Sequence, residues 1–173
     1  MSNETETLTD VVPDEVEEIA AKLLKRACDQ KLTIVTAESC TGGLLAALLT
    51  DVEGASHAFE RGFVTYTDDA KRDVLHVPAD LLDAHGAVSE PVAIAMAEGA
   101  LRASPADIAL AVTGFAGEGA PGDEPGLVHL ACARRSGRTT HREQHFGDIG
   151  RGPVRIACLR VALELLAAAL GGS

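Results

Sequence analysis

The sequence predicts an α/β protein: a single three-layer α/β/α domain built on a mixed sheet. Through the first two thirds of the chain, short apolar runs typical of buried strands alternate with segments of helical periodicity. The last third adds two strand-like segments around a short turn, a pattern that indicates an antiparallel hairpin. The chain has 173 residues and is 46% hydrophobic, which is enough for one well-buried core and too little for two full domains.

The predicted elements follow an order that supports this architecture. Residues 15–28 carry apolar side chains at helical spacing and predict an amphipathic helix. A buried strand over 32–35 precedes a helix from 44, and a strand over 59–66 precedes a helix over 70–75. The later elements are a short helix from Pro78 to a stop at Gly86, a helix over 92–103, strands over 108–113, 127–133 and 139–146, and a helix over 154–170. Alternation followed by a hairpin implies parallel strands and then antiparallel ones, hence a mixed sheet.

Composition limits the possible partners. A formal net charge of -11 and 3% aromatic residues argue against binding nucleic acid. Residues 1–12 are acidic and are expected to be disordered, with the folded domain over 13–171. No apolar run could span a bilayer and no export signal is recognisable, so we expect a cytoplasmic protein with no membrane partner. Four lysines against eleven arginines on an acidic chain suggest adaptation to high salt.

Neither the cysteines nor the histidines have the spacing of a metal site. The four cysteines include no CxxC pair, which favours reduced thiols, and Cys40 is expected to be a packing residue. The histidines are dispersed, and His141 and His145 lie four residues apart in a predicted strand, too far apart to share a metal. No metal and no organic cofactor are predicted.

Residues 36–43, Thr-Ala-Glu-Ser-Cys-Thr-Gly-Gly, join a predicted strand to a predicted helix and contain a candidate nucleophile, Ser39. A helix that begins near residues 40–43 would direct unpaired N–H groups at this turn, which suits an oxyanion or a phosphate. Gly42 and Gly43 would let the backbone approach a ligand closely. The alternative is that Ser39 or Thr41 only caps the helix, and the segment by itself favours the cap.

Two residues of rare type provide a partner for Ser39. Lys71 is the only lysine after residue 31, and Tyr66 is the only tyrosine. A buried lysine with a lowered pKa can accept a proton from serine, and a tyrosine hydroxyl can relay one. Ser39 and Lys71 therefore form a possible acyl-transfer pair, with a surface lysine that follows a helix cap as the alternative.

Glycines and arginines in the last third are candidates for substrate contact. The loop over 114–122 contains GxGxxG spacing, but its prolines and the strand that follows argue against a dinucleotide motif, which requires a helix at that point. Gly114 and Gly117 could line a ligand wall with their backbone. Arg151 and Arg155 could present guanidinium groups to a phosphate, with exposed surface charge as the alternative.

Five blocks together resemble the CinA C-terminal domain family, whose stand-alone members include nicotinamide mononucleotide amidohydrolases. They are residues 36–43 (TAESCTGG), 59–71 (FERGFVTYTDDAK), 85–92 (HGAVSEPV), 113–117 (TGFAG) and 142–155. They occur in the family's order, and the resemblance runs from about residue 15 to 170. The resemblance covers this domain only and gives no counterpart of the family's molybdopterin-binding-like module.

The resemblance implies hydrolysis of the carboxamide of nicotinamide mononucleotide to the nicotinate form and ammonia, in pyridine-nucleotide salvage. It implies that Ser39 is the nucleophile, Lys71 its general base and Tyr66 a residue that positions or relays protons. Arg155 is the first choice as phosphate anchor, ahead of Arg151. The reaction would need neither metal nor cofactor, and we expect backbone donors of residues 40–43 to hold the oxyanion, with Thr41 left as the cap. The expected substrate contacts are Thr41, Gly42, Gly43, Gly114, Gly117, Arg151 and Arg155.

Two departures from the family pattern fall at the expected substrate rim. Glu118 follows Gly117 where the family has proline, and Ile149-Gly150 separate Asp148 from Arg151. They bear on substrate choice more than on the Ser39 chemistry. The competing hypotheses are a catalytically silent nucleotide-binding or regulatory module, and an amidase or esterase with a different small substrate. Association into a homo-oligomer is expected for so small a protein with apolar helices.

Overall fold

The computed structural model describes residues 12–171, which form six helices and five strands. The strands are β1 (Ile34–Glu38), β2 (Phe59–Val64), β3 (Ile108–Gly114), β4 (Leu127–Arg134) and β5 (Thr140–His145). The helices are α1 (Asp14–Asp29), α2 (Leu44–Thr50), α3 (Asp68–Leu75), α4 (Ala79–His85), α5 (Glu90–Arg102) and α6 (Arg151–Ala169). The predicted disorder of residues 1–12 lies outside the described residues except at Val12, which packs against the core.

The five strands form one mixed sheet in the order β2-β1-β3-β4-β5. Strand β1 is parallel to both of its neighbours, β2 and β3, whereas β4 is antiparallel to β3 and to β5. The α/β class, the mixed sheet and the closing hairpin are therefore confirmed.

Alternating side chains of the central strands divide the interior into two cores. On β3, Ile108, Leu110 and Val112 pack with the buried faces of α1, α2 and α6. Ala109 and Ala111 point the other way, into a core shared with α3, α4 and α5. Small side chains on this second face let the alanine-rich helix α5 lie close to the sheet. Helices thus cover both faces, as the three-layer prediction requires.

The predicted first strand has the wrong limits, and the correction affects the site. The expectation was 32–35, but β1 continues to Glu38 because Thr36, Ala37 and Glu38 pair with strands on both sides. Polar and small residues hide this extension from a hydrophobicity pattern. Helix α2 begins at Leu44, as its apolar run predicts, and not within residues 40–43. Ser39 consequently follows the strand directly, at the edge where three parallel strands end.

None of the helices within residues 12–171 combines the length and the apolar character that crossing a bilayer requires.

Candidate active site

A cavity of about 270 Å³ opens where the carboxyl ends of β1, β2 and β3 meet. Its wall comprises the turn after β1, Tyr66 and Lys71 beyond β2, residues 87–88 before α5, the loop after β3, and Arg151. Ligands of open α/β sheets bind in this crevice, beyond the carboxyl ends of the strands. The fold therefore places the candidate residues at the usual binding edge.

Lys71 is fully buried and lies against the candidate nucleophile. Its Nζ is 3.1 Å from Ser39 Oγ, 2.9 Å from the carbonyl oxygen of Thr65 and 3.2 Å from that of Tyr66. Its side chain is 0% exposed. A neutral amine has two N–H donors and one lone pair, so the two carbonyls can accept both N–H groups while the lone pair faces Ser39. This geometry is suited to accepting the serine proton.

Burial lowers the pKa of Lys71 below its ordinary value, although the negative charge of Asp68 acts in the opposite direction. Desolvation disfavours the charged amine, which makes the neutral form accessible at a lower pH. Helix α3 holds the residue in place, and its N-cap is Thr67, which accepts a hydrogen bond from the N–H of Ala70 at 3.1 Å.

The turn after β1 presents Ser39 with little freedom. The N–H of Ser39 donates to the carbonyl of Val112 (2.9 Å), and the N–H of Gly42 donates back to the carbonyl of Ser39 (3.0 Å). Gly42 and Gly43 have φ of 60° and 98°, a conformation that favours glycine. Within residues 12–171, the N–H of Cys40 makes no hydrogen bond, which leaves it free for a ligand.

A buried carboxylate, Glu38, holds the far side of this turn. Glu38 Oε2 accepts from Thr41 Oγ1 (2.6 Å) and from the N–H of Leu45 (2.9 Å), and Oε1 accepts from the N–H of Ala46 (2.8 Å). Since Glu38 takes the first N–H groups of α2, Thr41 is not the cap, and that prediction is wrong. The N-cap position is Gly43, which has no side chain to offer.

Tyr66 reaches the site through its backbone. Its carbonyl accepts from Lys71, whereas its side chain is 65% exposed and lies at the rim of the cavity. The contacts of Lys71 Nζ to Ser39, Thr65 and Tyr66 do not include the hydroxyl of Tyr66. A role for this hydroxyl in relaying protons stays a prediction.

The two candidate arginines make different contacts near the site. Arg151 lines the cavity, and its guanidinium is 3.5 Å from where a Cβ of Gly117 would be. Arg155 instead donates from Nε to the carbonyl of Cys40 at 3.0 Å and does not line the cavity. The structure thus places Arg151, the second choice by sequence, on the cavity wall.

The predicted glycine contacts also divide. Gly114 and Gly117 line the cavity, whereas Gly42 and Gly43, like Thr41, do not. An added Cβ at Gly114 would lie 2.8 Å from the carbonyl oxygen of Leu127, so this glycine is also required for close packing of β3 on β4. The loop from 115 to 126 connects β3 to β4 and does not lead into a helix, as the sequence predicts.

Sequence reasoning missed Glu38 and Thr113. Glu38 had one recognisable signal, a carboxylate at the end of an otherwise uncharged buried strand. Thr113 is buried on the cavity wall and donates from Oγ1 to the carbonyl of Ala87 at 2.8 Å, which ties the end of β3 to the segment before α5. Local pattern gives no signal for this contact, because its partners are 26 residues apart.

Histidines of the terminal hairpin form a second polar cluster. His129 Nδ1 lies 3.0 Å from His141 Nε2, and His145 bonds to Glu124 of the glycine loop (2.7 Å) and to Glu143 (2.8 Å). These two carboxylates raise the pKa of His145. In the described part of the chain, no group of three or more potential ligands is placed to hold a metal ion. The cluster instead links the loop that lines the cavity to β5.

The fold and the paired serine and lysine define a candidate acyl-transfer site, and comparison with known proteins gives the family. The family model described as CinA C-terminal domain matches residues 16–170. The chain belongs to the CinA C-terminal domain family, as the resemblance predicts.

Three relatives illustrate the match. Nicotinamide-nucleotide amidohydrolase PncC from Escherichia coli K12 is 47% identical over 78% of this chain and 82% of that protein. A CinA-like protein from Anaeromyxobacter sp. strain Fw109-5 is 47% identical over 89% of this chain and 38% of its own length. The crystal structure of competence/damage inducible protein CihA from Agrobacterium tumefaciens superposes with a TM-score of 0.88 at 48% identity, covering 94% of this chain and 99% of that one.

The relatives differ in length. This chain spans between 26% and 38% of the CinA-like and competence-damage inducible proteins it matches, but most of PncC.

Proposed function

We propose that the protein hydrolyses the carboxamide of nicotinamide mononucleotide to nicotinate mononucleotide and ammonia. The observation that carries the proposal is the 3.1 Å approach of the fully buried Lys71 Nζ to Ser39 Oγ on the cavity wall. The name of the PncC relative supports the choice of substrate. A cavity of about 270 Å³ lies just below the usual range of ligand pockets, about 300–1,000 Å³, which is compatible with a small substrate.

In the proposed reaction, Ser39 Oγ attacks the carboxamide carbon and its proton passes to Lys71 Nζ. The N–H of Cys40, next to Ser39 on the cavity wall, is the candidate donor to the oxyanion that forms. When the intermediate collapses, the C–N bond breaks and ammonia leaves with the proton from Lys71. Water then attacks the ester and gives its proton to Lys71. The bond to Ser39 Oγ breaks, the oxygen recovers that proton, and the carboxylic acid product ionises.

Charges around the cavity suit the two ends of this substrate. Its phosphate is anionic, and Arg151 supplies a guanidinium that can bind it with two hydrogen bonds. Its pyridinium ring is cationic, and Glu118 and Asp123 line the same cavity with carboxylates. Glu118 in the place of the family's proline is thus compatible with a zwitterionic substrate. The assignment to pyridine-nucleotide salvage, the cytoplasmic location and the homo-oligomer stay predictions.

Ammonia release from nicotinamide mononucleotide by purified protein tests the proposal, with high salt included because the chain is strongly acidic. Ser39→Ala and Lys71→Met should each abolish most of the activity, while Ser136→Ala, at the exposed turn of the hairpin, should leave it intact. Full activity in either site variant would contradict the assigned mechanism.

The same preparation separates the alternatives. A catalytically silent module would bind nicotinamide mononucleotide in calorimetry without releasing ammonia. An amidase of different specificity would act on amides that lack a phosphate as readily as on the nucleotide. We expect nicotinamide riboside, which lacks the phosphate, to be a poor substrate because Arg151 then has no anion to bind.

A further inference from the structure

We infer that Glu38 is a positioning residue for the nucleophile: its carboxylate holds the turn over residues 39–43 so that Ser39 Oγ stays against Lys71. The inference rests on the proposed function, because it assumes that Ser39 is the reacting group.

The position of Glu38 in the chain is unusual for a carboxylate. It is the last residue of β1, is 0% exposed, and takes part in no salt bridge within residues 12–171. Burying an unpaired carboxylate is costly, so it is stable only when donors surround its oxygens. The three donors of the turn and of α2 meet this need. The hydrogen bonds that stabilise the buried carboxylate therefore come from the same residues that the carboxylate fixes in place.

The contacts of Glu38 span the turn. Thr41 lies within the turn, and the N–H groups of Leu45 and Ala46 belong to the first turn of α2. The side chain of an N-cap residue normally accepts hydrogen bonds from these N–H groups. Gly43 occupies the N-cap position here and has no side chain that could accept them. Glu38 thereby joins the end of the strand to the start of the helix, with Ser39 as the next residue along the chain.

Other contacts fix the rest of the turn and leave this side to Glu38. The carbonyl of Cys40 accepts from Arg155, and the N–H of Ser39 is bonded to β3. The two glycines in the left-handed region can adopt many other conformations once their neighbours are released. Loss of the Glu38 bonds would therefore let Ser39 Oγ move relative to Lys71, and a displacement of about 1 Å can cost roughly a hundredfold in rate.

Glu38→Gln tests the inference. Glutamine has the shape of glutamate, but its amide N–H₂ must replace one carboxylate oxygen and face N–H or O–H donors that it cannot accept from. We expect kcat for ammonia release to fall by about 10- to 100-fold, with KM and the pH midpoint of the rate little changed. The matched control is Thr50→Val, which removes the bonds of Thr50 Oγ1 to Ala46 and Ala47 at the other end of the same helix. The control should keep its kcat.

A fluorophosphonate reagent provides a readout that does not depend on the substrate. Ser39 Oγ bonds to phosphorus, fluoride leaves, and the serine proton passes through Lys71 to water, so the rate of mass gain reports the reactivity of Ser39. Glu38→Gln should be labelled about 10- to 100-fold more slowly than wild type. If wild type is labelled but releases no ammonia, the proposed substrate is wrong and the labelling rates still decide the role of Glu38. If wild type releases ammonia but is not labelled, Ser39 is not a reactive nucleophile, and the inference about Glu38 is overturned while the proposed substrate stands.

Thr41 gives a second route should Glu38→Gln fail to fold. Thr41→Val removes one donor to the carboxylate and should lower kcat, whereas Thr41→Ser keeps the hydroxyl and should recover most of the loss. A loss that appears in KM would instead support the predicted substrate contact by Thr41 and overturn the inference. A kcat of Glu38→Gln equal to that of Thr50→Val, or a shifted pH midpoint with an unchanged plateau, would overturn it as well.

Discussion

Replacing Lys71 by methionine should separate catalysis from stability at one buried position. The change removes the proposed base and keeps a side chain of similar length in the same space. A positioned general base contributes roughly 10²- to 10⁴-fold to a rate, and we expect kcat/KM to fall by that factor. The carbonyls of Thr65 and Tyr66 lose their donor, which costs about 1–3 kcal/mol each if water does not replace it. Removal of a desolvated charge offsets part of this cost.

The pH dependence of the activity and of the free energy of unfolding follows from the lowered pKa of Lys71. Activity of the wild type should rise with pH through this lowered pKa, because only the neutral amine accepts the serine proton. In the unfolded chain the amine keeps its usual pKa, about 10.4. Between the two values the unfolded chain binds a proton that the folded chain does not, so the free energy of unfolding increases with pH. Below the lowered pKa both states are protonated, and the folded chain bears the cost of the buried charge.

Two measurements across about pH 6 to 10 check this reasoning. Ammonia release gives the activity profile, and urea unfolding gives the stability of wild type and of Lys71→Met. The stability of wild type relative to the variant should increase as pH rises through the window. A flat activity profile, or a stability difference independent of pH, would refute the assignment. Substantial activity in Lys71→Arg would also refute it, since arginine cannot become a neutral base at these pH values.

Four further predictions concern the surroundings of the site. Arg151→Ala should raise KM about 10- to 100-fold in steady-state assays, because a charge-assisted contact with the substrate phosphate is lost. Arg155→Ala should instead lower kcat, because the carbonyl of Cys40 loses its hydrogen bond from Arg155. Gly99→Ala should lower the free energy of unfolding in urea by roughly 1–3 kcal/mol, because the added Cβ would overlap the carbonyl oxygen of Leu75. Leu75 lies on α3, the helix that carries Lys71. A variant as stable as wild type would contradict this prediction. His145→Ala should raise KM by releasing the glycine loop from β5, and an unchanged KM would count against that anchoring role.

Much of the fold could be predicted because its signals are local. Periodicity, capping residues and turn signals together identified every helix and strand of the described chain, and the hairpin pattern in the last third indicated the antiparallel part of the sheet. The limits of β1 were wrong because Thr36, Ala37 and Glu38 are not strongly apolar. Their strand conformation depends on pairing with β2 and β3, which a hydrophobicity pattern does not contain.

The candidate site was predicted in part. The rarity of lysine and the family resemblance selected Lys71, and the structure brings it to Ser39 across 32 residues of sequence. The order of the two arginines differed because they lie about one helical turn apart on α6, and only Arg151, the first residue of that helix, borders the cavity. Sequence spacing showed only that both lie near the start of that helix.

The sequence by itself determined the class of fold, the family and the identity of the proposed nucleophile and base, because these follow from local patterns and from motifs. Only the tertiary structure decided that Lys71 is buried against Ser39. It also decided that Arg151 and not Arg155 lines the cavity. The same holds for the start of α2, where Glu38 and not Thr41 accepts from the first N–H groups. Each of these depends on which groups remain in contact with water and which donors surround a buried charge. Those conditions arise when distant segments pack together.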